Sequence, residues 1–127
     1  MTTESMTVLL VDDEADFLSV VARRLERRAM RIYSAGSGEE ALAVLEEHPV
    51  DAVVLDVKMP GMDGIETLRR IKAAHPDVEV IMLTGHADLE VAISGMALGA
   101  FDYLLKPADI DELMFKLRDA TRTRLRA

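Results

Sequence analysis

Short apolar runs rich in β-branched residues alternate with stretches of helical period along the chain. The first run, Thr7–Val11, is almost continuously apolar, which predicts a strand covered on both faces. The second, Arg31–Ala35, alternates polar and apolar positions and predicts an edge strand. Ala52–Leu55, Val78–Leu83 and Phe101–Leu105 supply three more. Between the runs, Phe17, Leu18, Val21, Ala22 and Leu25 share one helix face, while Arg23, Arg24, Arg27 and Arg28 point elsewhere. Ser37-Gly38-Glu39-Glu40 predicts a capping box opening a second helix, whose apolar face is Ala41, Leu42 and Leu45. Asp63 opens a third helix with Ile65, Leu68 and Ile71 inward, and Asp88 caps a fourth that runs to about Leu98. Asp109 caps a fifth, burying Ile110, Leu113, Met114 and Leu117 and carrying Arg122, Arg124 and Arg126 near its negative end.

Five β–α units joined by short connections predict an α/β fold. Right-handed crossovers make it a doubly wound five-stranded parallel sheet with five helices, flavodoxin-like in type, for which the strand order 2-1-3-4-5 is the expectation. The 127 residues are expected to form a single domain with a core from about residue 7 to 122. A net charge of −8 makes autonomous binding of nucleic acid or anionic lipid an unfavourable reading. No apolar run approaches the roughly 18 residues of a membrane span, and Met1–Thr7 has no export signal, so a cytoplasmic location is expected. Cys is absent, which removes disulfides and thiolate chemistry.

An open sheet of this type places its site beyond the carboxyl ends of its strands. Those ends carry Asp12 and Asp13, then Asp56, then Thr84, then Lys106. With the first and third strands adjacent, Asp12, Asp13 and Asp56 converge, and three crowded carboxylates call for a cation. A hard divalent ion, Mg²⁺ or Mn²⁺, suits a half-open oxygen site. A carboxylate flanked by a metal, an ammonium and a hydroxyl is arranged to receive a phosphoryl group. Gly61 and Gly64 let the loop after Asp56 turn tightly.

The segments Val11-Asp12-Asp13-Glu14, Leu55 to Gly64, Leu83-Thr84-Gly85-His86 and Phe101 to Pro107 resemble the receiver domain of two-component response regulators. The resemblance runs from Thr7 to about Arg122. It implies a phosphorylation-activated switch of a phosphorelay, with Asp56 the phosphoacceptor and a sensor histidine kinase or phosphotransfer protein the donor. It implies a magnesium site made by Asp13, Asp56 and the backbone carbonyl of Lys58, with Asp12 acting through metal-bound water. Lys106 would pair with a phosphoryl oxygen, Thr84 would move to bond another, and Tyr103 would be the aromatic switch that follows Thr84. The Lys106-Pro107 bond is expected to be cis. Output would pass through the face formed by the fourth helix, fifth strand and fifth helix to a downstream protein, with phosphorylation-dependent dimerisation left open.

Several positions keep a second reading. Tyr103 also fits a half-buried strand aromatic. Lys58 and His86 either tune phosphoryl lifetime or are solvated. His48 and His75 read as ordinary helix-end residues; the eight Met residues read as gap-fillers rather than a binding surface, with Met59 and Met62, in an exposed loop, also able to meet a partner. Gly95 and Gly99 weaken the fourth helix, which suits an element that shifts. A phosphatase with an aspartyl nucleophile is disfavoured, because Lys58 stands where such enzymes carry a second Asp. An interaction module without chemistry is disfavoured by the complete set of five site residues. The resemblance thus implies a signalling module expected to catalyse only its own phosphorylation and dephosphorylation. It is either a stand-alone receiver or the first domain of a longer regulator, with Arg118–Arg126 beginning a linker.

Overall fold

A computed structural model of the chain describes residues 6–59 and 61–126, with side chains described as far as residue 122. Its elements are β1 (Thr7–Val11), α1 (Ala15–Glu26), β2 (Arg31–Ala35), α2 (Gly38–Glu47), β3 (Ala52–Asp56), α3 (Gly64–Ala74), β4 (Glu79–Thr84), α4 (Leu89–Ala97), β5 (Asp102–Leu105) and α5 (Ile110–Arg126). All strand pairings are parallel and the order is β2-β1-β3-β4-β5, as the alternation of runs predicts.

Strand side chains alternate between two apolar layers. Val8, Leu10, Val54, Ile81 and Leu83 meet Val21 and Leu25 of α1 and Leu113 and Leu117 of α5. Leu9, Val11, Val53, Leu55 and Met82 meet Ala41 and Leu45 of α2, Leu68 and Ile71 of α3, and Ala92 of α4. Edge strand β2 has only Ala35 buried, which matches its polar alternation.

Local signals mostly hold. The Ser37 hydroxyl accepts from the Glu40 N–H, but the Glu40 carboxylate accepts from Gly36 N–H at 2.8 Å, one residue before the position a capping box uses. Asp63 accepts from Glu66 N–H, and Asp109 from the N–H groups of Asp111 and Glu112. Asp88 stands before α4 but makes no side-chain capping bond: residues His86–Asp88 form a 3₁₀ turn, and the backbone of Asp88, at φ −111 and ψ 17, lacks the extended conformation that a capping side chain uses. Met59 is buried against the α2–α3 layer and is no surface contact. Residues 118–126 continue α5 as helix. The side chains of Arg124 and Arg126, and all of Pro60, lie outside the described residues.

Gly95 has a packing reason: a β-carbon there would collide with the Met82 sulfur, so α4 lies directly against β4. His48 and His75 stand at the carboxyl ends of α2 and α3, as expected; His48 stacks on Tyr33, and His75 faces Glu46. Among the described residues, no helix is long and apolar enough to cross a membrane.

Candidate functional site

The site residues are aligned by hydrogen bonds that extend the sheet past its regular ends. Asp12 N–H donates to Ala35 O at 3.1 Å, Val57 N–H to Leu83 O at 3.0 Å, and Lys106 N–H to Thr84 O at 2.8 Å. Asp56 and Thr84 are themselves the last residues of β3 and β4, one place further along than their strands' apolar runs. The loop after Asp56 passes through Gly61 at φ +74 and returns to Gly64, whose N–H donates to Val57 O. The Lys106-Pro107 bond is cis.

Asp12, Asp13 and Asp56 each offer a carboxylate oxygen, and these oxygens lie within 4.8 Å of one another. Asp12 and Asp56 are buried, at 1% and 6% exposure, while Asp13 is open to solvent. The Lys106 ammonium donates to Asp12 Oδ2 at 2.8 Å and lies 3.6 Å from Asp56 Oδ2, close enough for charge but outside hydrogen-bond reach. One ammonium among three acids leaves an excess of negative charge. Burial and the neighbouring Asp12 charge therefore push the Asp56 pKa up to about 6, against the pull of Lys106 and of the Lys58 N–H. For Lys106, burial works against the charge, but the hydrogen bond to Asp12 and the nearby carboxylates outweigh it and raise the pKa. The donor set is all hard oxygen with one open side, which suits a small divalent cation.

The hydroxyl of Thr84 is buried and donates to Gly85 O at 3.0 Å. Tyr103 is half-buried on β5, on the same sheet face as Thr84, against the α2–α3–α4 layer. Lys58 and His86 are exposed; Lys58 N–H donates to Asp56 Oδ1 at 3.2 Å. Two residues not singled out in the sequence also reach the site. The Glu14 carboxylate lies 3.4 Å from the Lys106 ammonium, and the Phe17 ring centre lies 4.6 Å from it. The position of Glu14 directly after the acid pair was a signal; Phe17 counted only as part of a helix face.

Residues 8–118 match the family model described as "Response regulator receiver domain". The chain belongs to the response regulator receiver domain family. It is 43% identical over 105 residues to the DNA-binding transcriptional regulator NtrC of Salmonella typhimurium, covering 83% of this chain and 22% of that protein. It is 37% identical over 120 residues to the transcriptional regulatory protein ZraR of Escherichia coli, covering 94% of this chain and 27% of that protein. The receiver domain thus spans about a quarter of the length of these curated relatives. Among solved structures, a response regulator receiver domain protein from Clostridium thermocellum superposes with TM-score 0.90 at 37% identity, covering 96% of this chain and 99% of that one. The receiver domain of NtrX from Brucella abortus gives TM-score 0.87 at 34% identity, covering 91% and 98%. The receiver is a phosphorylation-activated signalling module of two-component systems, a kind of domain that histidine kinases phosphorylate.

Proposed function

We propose that Asp56 is the phosphoacceptor of this receiver. The observation that carries the reading is a buried carboxylate at a strand end, flanked by two further acids and one ammonium. A carboxylate oxygen of Asp56 attacks phosphorus, the bond from phosphorus to the donor breaks, and its electron pair leaves with the donor. Burial and the crowding acids discourage Asp56 from holding its negative charge idle, and transfer to phosphorus consumes that carboxylate.

Asp13, Asp56 and the carbonyl of Lys58 would hold Mg²⁺ (or Mn²⁺), with Asp12 contributing through water. Bound there, the ion would neutralise charge on the phosphoryl oxygens. Lys106 would turn from Asp12 to a phosphoryl oxygen. Thr84 would exchange its Gly85 contact for another such oxygen, with Tyr103 following on the same sheet face. Lys58 and His86, exposed beside the mouth, would govern access of water and so phosphoryl lifetime. The donor would be a sensor histidine kinase or a phosphotransfer protein. Output would pass to a downstream protein, with or without dimerisation, through α4, β5 and α5, which carry exposed Val91, Ile93, Met96 and Phe115. The described fold supports a single domain over the 127 residues, with its core from about residue 7 to 122.

Acetyl phosphate with Mg²⁺ should add one phosphoryl mass to the wild type and none to Asp56→Asn. An equal gain in both proteins would remove Asp56 from the acceptor role.

A further inference from the structure

We propose that Glu14 and Phe17 are positioning residues that hold the Lys106 ammonium on Asp12 and so limit how fast Asp56 takes up a phosphoryl group. This rests on Asp56 being the acceptor and adds a restraint built into the same site.

An ammonium has three N–H donors. Asp12 takes one at 2.8 Å and Glu14 another at 3.4 Å. The face of the Phe17 ring, 4.6 Å away at its centre, attracts the same cation through its electron-rich π-system. Asp56, at 3.6 Å, receives no hydrogen bond from it. Both restraining groups belong to the start of α1: Glu14 is its N-cap and Phe17 lies in its first turn. Phe17 also packs against the α1–α5 layer, which fixes the ring in place. Asp12 and Glu14 leave one N–H of the ammonium over, so motion of Lys106 toward oxygens newly attached to Asp56 is opposed as far as it lengthens the contacts with Glu14 and the ring. Glu14 caps no helix amide through its side chain, so its contact with Lys106 is the described role of its carboxylate. That carboxylate is 67% exposed, which keeps the restraint weak enough to be released.

The test uses Glu14→Gln, Phe17→Leu and Phe17→Tyr. In metal-free protein, the ¹⁵N resonance of the Lys106 ammonium should move in Glu14→Gln and Phe17→Leu and stay near the wild-type position in Phe17→Tyr, which keeps a ring. With acetyl phosphate and Mg²⁺, the first two variants should gain phosphoryl mass about two- to fivefold faster than wild type, and Phe17→Tyr at the wild-type rate. Mg²⁺ affinity should be the same in all four proteins. An unmoved Lys106 resonance, an unchanged or slower rate in both of the first two variants, or a Mg²⁺ affinity that falls in step with the rate change would overturn the proposal. Failure of the wild type to gain mass would instead overturn the acceptor assignment, and the metal-free resonance would still decide whether Glu14 and Phe17 hold Lys106.

Discussion

Gly64 sits so close to Asp56 that a β-carbon on it would lie 2.6 Å from the Asp56 carbonyl oxygen. It would also lie 2.7 Å from the Cα of Val57, so the obstruction is backbone that cannot swing aside. Gly64→Ala should therefore destabilise the fold by about 1–3 kcal/mol, the range of an overpacked interior. Because the displaced segment carries the proposed acceptor, phosphoryl uptake should fall as well. Urea unfolding and intact mass after acetyl phosphate treatment measure the two effects; a variant of wild-type stability would refute the close approach.

Asp56 makes the metal-free fold sensitive to pH. Its folded pKa of about 6 lies above its ordinary value of 3.8, so between these values the folded chain binds more protons than the unfolded one. Stability then falls as pH rises from about 4 through about 6, and the loss is complete above that. The penalty at pH 7 is of order 2–3 kcal/mol at 1.36 kcal/mol per pKa unit. In EDTA, Asp56→Asn should melt higher than wild type at pH 7.5, and the difference should shrink toward pH 4.5. A variant that is less stable across the whole range would sink this expectation.

A divalent cation should reverse that penalty. Mg²⁺ at 100 times its Kd should stabilise the wild type by about 2.7 kcal/mol, and chelation should remove the gain. Asp13→Asn and Asp56→Asn should lose most of the effect, because each takes away a converging carboxylate. Thermal melts with and without Mg²⁺ provide the comparison. Equal Mg²⁺ stabilisation of all three proteins would place the ion elsewhere.

Helix α4 is the element we expect to open most readily. It has nine residues, of which only Ala92 and Gly95 are buried, against seventeen residues in α5. Its amide hydrogens should exchange at least about tenfold faster than those in the middle of α5. Uniform protection across the two helices would remove the case for α4 as a mobile output element.

The layers and strand order were legible because each interior strand is a compact apolar run and each helix carries a single apolar face. Asp12, Asp13 and Asp56 were legible as a cluster once β1 and β3 were adjacent. The strand ends were misjudged by one residue because polar Asp56 and Thr84 still pair in the sheet, opposite Leu83 and Leu105. Met59 is the gap-filler that its residue type suggested, and its alternative as an exposed contact fails because the loop after Asp56 packs it against the core. The contact of Glu14 with Lys106 spans 92 residues; the place of Glu14 after the acid pair put it near the site without naming its partner.

The reactive groups come from the ends of β1, β3, β4 and β5, and no two of these ends are consecutive in the chain without an intervening helix. An unfolded polypeptide carries all of these side chains without bringing them together, so the proposed phosphoryl transfer would require the folded sheet. Phosphorylation at Asp56, as proposed, would thereby mark only molecules that have completed their fold.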